Sequence, residues 1–92
     1  MAAFTITRIQ VGDNDAWRAL FDEDRPRARE KATVKRVFRG VEDPAQVFVM
    51  LEFASVEDAT ESQRRIVESG VLDRFEDKQG PNVVVEADPP AS

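Results

Sequence analysis

The sequence predicts an α+β domain on the β-α-β-β-α-β plan, a ferredoxin-like arrangement with an antiparallel sheet and both helices on one face. Three observations predict it. Four runs have strand character, at 3–11, 32–40, 46–53 and 82–87. Two stretches with helical spacing of apolar residues separate the first run from the second and the third from the fourth. The third run, QVFVMLEF, is apolar on both of its faces.

The first run, AFTITRIQV, alternates in part: Phe4 and Ile6 share a face with Arg8, and Thr5, Thr7, Ile9 and Val11 share the other. Gly12 breaks it, and Asp13 or Asp15 is placed to cap a helix. Ala16, Trp17, Leu20 and Phe21 form the apolar stripe of that helix, and Pro26 interrupts it or opens a further short turn. The charged DRPRAREK offers no core and reads as a solvated helix end and loop. ATVKRVFRG is the second strand, Asp43-Pro44 marks a turn, and QVFVMLEF returns as its antiparallel partner. Ser55 and Asp58 fit the S-x-x-D/E capping pattern and open a second helix. Its stripe is Val56, Ala59, Gln63, Ile66 and Val67, and Gly70 ends it. Val71, Leu72 and Phe75 suggest a short helix over 71–78, Gly80-Pro81 resets the chain, and NVVVEA is the last strand. Residues 1–88 are expected to form a single domain and 89–92 a frayed tail.

A chain of 92 residues makes one domain. It buries only about 60–65% of the surface its unfolded form exposes, so its own core is thin. Cysteine, histidine and tyrosine are absent, which removes thiol nucleophiles, thiolate metal sites and the commonest general base. The acidic cluster Asp22, Glu23 and Asp24 lacks the glycine and the alternation of a calcium loop and reads as a solvated face. No metal and no cofactor are expected. The net charge of −5 argues against nucleic acid as a partner. No apolar run reaches the length of a membrane span, and the first residues lack the pattern of a signal peptide, so a cytoplasmic location is expected.

Helices on one face of a sheet leave the other face open, and a polar open face is the rule for a monomer. In QVFVMLEF, Val47, Val49, Leu51 and Phe53 point one way, while Phe48 and Met50 point the other with Glu52 as the interruption. An open apolar face of several hundred Å² usually marks an interface. A second copy of the chain is expected to cover it, giving a homodimer joined through the open sheet face.

The pieces VGDNDAWRALFDE, VFRGVEDPAQVFVMLEF and SVEDA resemble small actinobacterial proteins of the dimeric α+β barrel superfamily, the cyclase-like and antibiotic biosynthesis monooxygenase-like proteins. The resemblance runs from about Ile9 to Val85. It implies two subunits packed sheet to sheet into a barrel, with a small-molecule pocket in each between the sheet and its own helices. Relatives of that superfamily include cofactor-free monooxygenases, lactone isomerases, haem-dependent enzymes and polyketide cyclases. The haem branch needs an axial histidine, and the monooxygenase sets need a tyrosine; this sequence has neither.

Glu52 and Arg39 are the candidate catalytic residues. Glu52, flanked by Leu51 and Phe53 on an inner strand, is placed as a proton acceptor; the plainer reading pairs it with Arg8, Lys35 or Arg39 on a neighbouring strand. Arg39 would hold a carboxylate or enolate oxygen with paired donors, or close the hairpin turn against Glu42 or Asp43. Candidate ligand-binding residues are Trp17 and Phe21, as walls for a flat apolar ligand, with Arg8, Met50 and Gln63. The favoured reading of Trp17 is a core anchor for the first helix, a position from which it can still line a cavity. Lys35 and Arg36 read as rim residues. The function expected is binding of an apolar or aromatic small molecule, with cofactor-independent cyclase, isomerase or monooxygenase chemistry. The alternative is a dimeric binding or stress-related module without chemistry.

Overall fold

In the computed structural model, residues 2–12, 17–19, 22 and 29–87 are described. Four strands, β1 (Ala3–Gln10), β2 (Val34–Arg39), β3 (Gln46–Phe53) and β4 (Lys78–Val85), form one sheet in the order β2-β3-β1-β4. Every neighbouring pair is antiparallel. Residues 17–19 and 22 are helical, and a long helix, Val56–Ser69, joins β3 to β4. The expected α+β fold, with an antiparallel sheet in the ferredoxin-like order, is the fold observed.

The alternation along β3 explains the sheet. Val47, Val49, Leu51 and Phe53 are buried, and with Ala3, Ile9, Val11, Trp17 and Ala59 they make the core. Burying that set supplies the main stabilisation of so short a chain, about 1.5–3 kcal/mol for each large side chain taken out of water. Thr5 and Thr7 share the buried face of β1, where β-branched side chains fit the pleat beneath a helix.

The long helix begins where expected. The Ser55 hydroxyl accepts from the Asp58 amide at 3.1 Å, and Gly70 closes the helix with φ 70. Its buried stripe differs from the expected one. Ala59 and Ser62 are buried, Gln63 and Ile66 are half-buried, and Val56 and Val67 lie exposed at 44% and 63%. The apolar spacing fitted two overlapping arcs, and the small residues Ala59 and Ser62 allow the helix to approach the sheet closely. The helix lies chiefly over β4 and β1, with a lighter contact to β3.

Two further expectations are corrected. Residues 71–78 do not form a helix: 71–74 are turns, closed by Asp73 N–H donating to Gly70 and Phe75 N–H to Leu72. Leu72 and Phe75, three residues apart, pack against the core from those turns. β4 begins at Lys78, earlier than the expected Asn82, because Lys78 and Gln79 pair with Ile9 and Arg8. The register then shifts between Ile6 and Arg8, so Gly80-Pro81 makes an irregularity inside the strand and does not precede it. The tail over 89–92, Phe21 and most of the first expected helix lie outside the described residues.

Candidate functional site

Strand register decides which side chains share a face. On the face away from the long helix the register builds three rows across the sheet: Val34, Glu52, Phe4 and Val84; Arg36, Met50, Ile6 and Asn82; Phe38, Phe48, Arg8 and Gln79. Ile6 is 39% exposed and Phe38 47%. Phe4, Phe48, Met50 and Val84 are half-buried. This is a continuous apolar field with three formal charges set in it.

Two of those charges have local partners. Arg8 pairs with Asp77 at 2.6 Å, and its Nε donates to Gln79 at 3.4 Å. Glu52 accepts from the Thr33 hydroxyl at 3.2 Å. Arg36 is exposed and has no ion pair or hydrogen bond through its side chain among the described residues.

On the helix side, β2 presents Lys35, Val37 and Arg39 opposite Leu51, Val49 and Val47. Val37 is half-buried and packs against the cluster that holds Trp17, which is 7% exposed. Lys35 and Arg39 flank Val37, exposed and without an ion-pair partner among the described residues. The hairpin turn closes without Arg39. Gly40 N–H donates to Gln46 and Gln46 N–H to Asp43, while the Asp43 carboxylate accepts from Ala45 N–H at 3.1 Å and from Gln10 Nε2 at 2.9 Å.

No family model matches the sequence, and no curated protein does. Solved structures do match the fold. A "putative antibiotic biosynthesis monooxygenase" from Nitrosomonas europaea superposes with TM-score 0.68 at 11% identity, over 98% of this chain and 94% of that one. A protein of the same description from Bordetella bronchiseptica gives 0.67 at 12%, over 94% and 97%. A NIPSNAP family protein from Agrobacterium tumefaciens gives 0.62 at 15%, over 96% and 95%. The chain has the antibiotic biosynthesis monooxygenase-like fold.

Within this monooxygenase-like fold the candidate residues divide between the two faces of the sheet. Glu52, Met50 and Arg8 lie on the open face. Arg39 lies on the helix side of β2, with Trp17 in the core of that side, and Gln63 projects from the long helix toward β4. Glu52 and Arg39 therefore lie on opposite faces of the sheet within one subunit. Gln63 spends its amide on the carbonyl oxygen of Pro81 at 2.8 Å. Phe21 lies outside the described residues. Among the described residues no group of three acidic, histidine or cysteine side chains is placed to hold a metal. No helix among them is long and apolar enough to cross a membrane.

The sequence reading passed over Lys35 and Arg36 as rim residues and gave Thr33 no role. Parity alone places Arg36 with Val34 and Phe38. Only the register, set by the Gly40–Ala45 turn, places it diagonally beside Glu52.

Proposed function

We propose that the chain is a homodimer joined through its open sheet faces, and that each subunit binds an apolar or aromatic metabolite bearing an acidic group on the helix side of β2 and β3. The observation that carries this reading is the placement of Lys35 and Arg39. Both are cations without ion-pair partners among the described residues, and they flank Val37 where it packs against the Trp17 cluster. An apolar wall edged by a few charged donors is the usual form of a small-molecule site. Two cations there would hold a carboxylate, or stabilise an enolate oxygen in a cyclase or isomerase reaction. Likeness to proteins described as monooxygenases adds support for small-molecule chemistry. A carrier without chemistry is the second reading, and a sequence with no histidine, cysteine or tyrosine favours it.

The test uses the single tryptophan as reporter. Hydroxylated aromatic carboxylic acids and their methyl esters are titrated against the protein while Trp17 fluorescence and thermal stability are followed. The acids are expected to quench fluorescence and raise the melting temperature. The esters are expected to do neither, and Arg39→Gln and Lys35→Gln to weaken the acids' effect about tenfold, the scale of one charge-assisted hydrogen bond. Indifference to every acid at millimolar concentration overturns the reading. Turnover of a bound acid would then separate enzyme from carrier.

A further inference from the structure

The open face carries one cation and one anion that no ion pair among the described residues neutralises. Arg36 on β2 and Glu52 on β3 are diagonal neighbours: Arg36 stands opposite Met50, and Glu52 opposite Val34. Diagonal residues of this kind lie about 7–8 Å apart in an ordinary sheet, within reach of two long side chains. They nevertheless form no ion pair within the subunit; Glu52 is taken by the Thr33 hydroxyl and Arg36 extends without a partner among the described residues. Covering this face with apolar groups alone would bury two uncompensated charges, at a cost of several kcal/mol for each. Unless the two side chains turn to each other, whatever covers the face must offer an anion over Arg36 and a cation over Glu52.

A second copy of the chain offers both. We infer that Arg36 of each subunit pairs with the partner's Glu52, and that these two symmetry-related pairs fix the register of the sheet-to-sheet dimer. The inference rests on the dimer proposed above and adds how its two faces recognise each other. Two faces that meet across a two-fold axis require that axis to lie in the plane between them. With strands about 4.8 Å apart and alternate residues about 6.7 Å apart along a strand, an axis passing midway between Arg36 and Glu52 runs obliquely past Met50 and Ile6. Those two residues then pack on their own symmetry mates at the centre of the apolar field. The same operation lays Phe48 between the partner's Phe4 and the partner's Val84, so apolar meets apolar. It sets Arg8 over the partner's Asn82, so polar meets polar. The strands of the two sheets then cross at about 70°, closer to the orthogonal than to the aligned solution for packed sheets. One axis, chosen only to match the charges, thus matches the apolar pattern as well.

Charge reversal in separate subunits tests the pairing. Homodimers of Arg36→Glu set acid against acid, and homodimers of Glu52→Arg set base against base. Mixing the two variants restores both pairs, but only if the pairs run between subunits. Native mass spectrometry of an equimolar mixture is expected to show the heterodimer well above the statistical half. Each variant alone is expected to self-associate at least tenfold more weakly than wild type by sedimentation equilibrium. A statistical mixture, or unaltered self-association of both variants, overturns the pairing and leaves the dimer standing. A wild type that sediments as a monomer at micromolar concentration overturns the dimer itself. Should either reversal unfold the chain, Arg36→Gln and Glu52→Gln decide the matter. Coupled pairs predict that the double variant weakens the dimer by less than the product of the two single effects, and independent effects overturn the pairing.

Discussion

Gln63 Nε2 donates to the carbonyl oxygen of Pro81 at 2.8 Å and pins the long helix to β4. Pro81 is buried and sits where the β1–β4 register shifts, so the regular ladder is interrupted beside it. Gln63→Ala would leave that carbonyl without its donor. The expected loss is about 1–3 kcal/mol, the usual cost of stranding a buried polar group, read as a lower urea midpoint with an unchanged slope. An unchanged midpoint would mean that the carbonyl finds water or another donor.

Ser62, the residue before it on the same buried face, has the opposite problem. It is 2% exposed, and among the described residues its hydroxyl has no hydrogen-bond partner. Ser62→Ala keeps nearly the same volume, removes an unsatisfied group and raises helix propensity. The variant is expected to be more stable by about 1 kcal/mol, seen as a higher melting temperature. A lower one would show that the hydroxyl has a partner in solution.

Acid stability should report on Glu61. Hydrogen bonds from Arg64 and then Arg65 pull its pKa from 4.5 down to about 2. A carboxyl whose pKa falls on folding stabilises the native state above its unfolded pKa, and that contribution drains away as pH drops through the folded pKa. The relevant window is therefore from pH 4.5 down to about 2. The groups lie at the surface, so the effect is modest and screened by salt. Glu61→Gln is expected to flatten the dependence of the melting temperature on pH in that window at low salt, and 0.5 M sodium chloride to reduce the wild-type slope. Equal slopes for variant and wild type would remove Glu61 from the account.

Gly80 has φ 89, and a Cβ added there would lie 2.5 Å from the carbonyl oxygen of Ile6. Neither the conformation nor the space admits a side chain. Gly80→Ala is expected to cost about 1–3 kcal/mol in backbone strain alone and to speed amide exchange along β4 more than along β3. Uniform exchange across the sheet would show that the irregularity is not fixed by this residue.

How much of this was legible beforehand depends on which physical signal carries it. Burial alternates strictly along QVFVMLEF, but its residues are apolar on both faces, so parity sorted them into two sets without saying which set is the core, whereas Ser55, Asp58 and Gly70 mark helix ends by local chemistry. The stretch 71–78 was misread because Val71, Leu72 and Phe75 satisfy helical spacing, whereas Gly70 in a left-handed conformation had already turned the chain. The site was less legible than the fold. Glu52 and Arg39 each have the right chemistry, yet strand parity sends them to opposite faces. Pairing Arg36 with a neighbour of opposite charge requires the exact hairpin register, which sequence fixes only once the turn geometry is known.

The two outer strands carry a last consequence. In a sheet ordered β2-β3-β1-β4 no strand among the described residues pairs with the outer margin of β2 or of β4, and unpaired margins invite end-to-end growth into fibrils. On β2 that margin bristles with Lys35, Arg36 and Arg39, so stacking a like strand against it would bring cation to cation. On β4 it is broken by Pro81, which has no amide hydrogen to offer, and by the shifted register beside it. The molecule can therefore carry an open apolar plane while its rims stay closed to polymerisation.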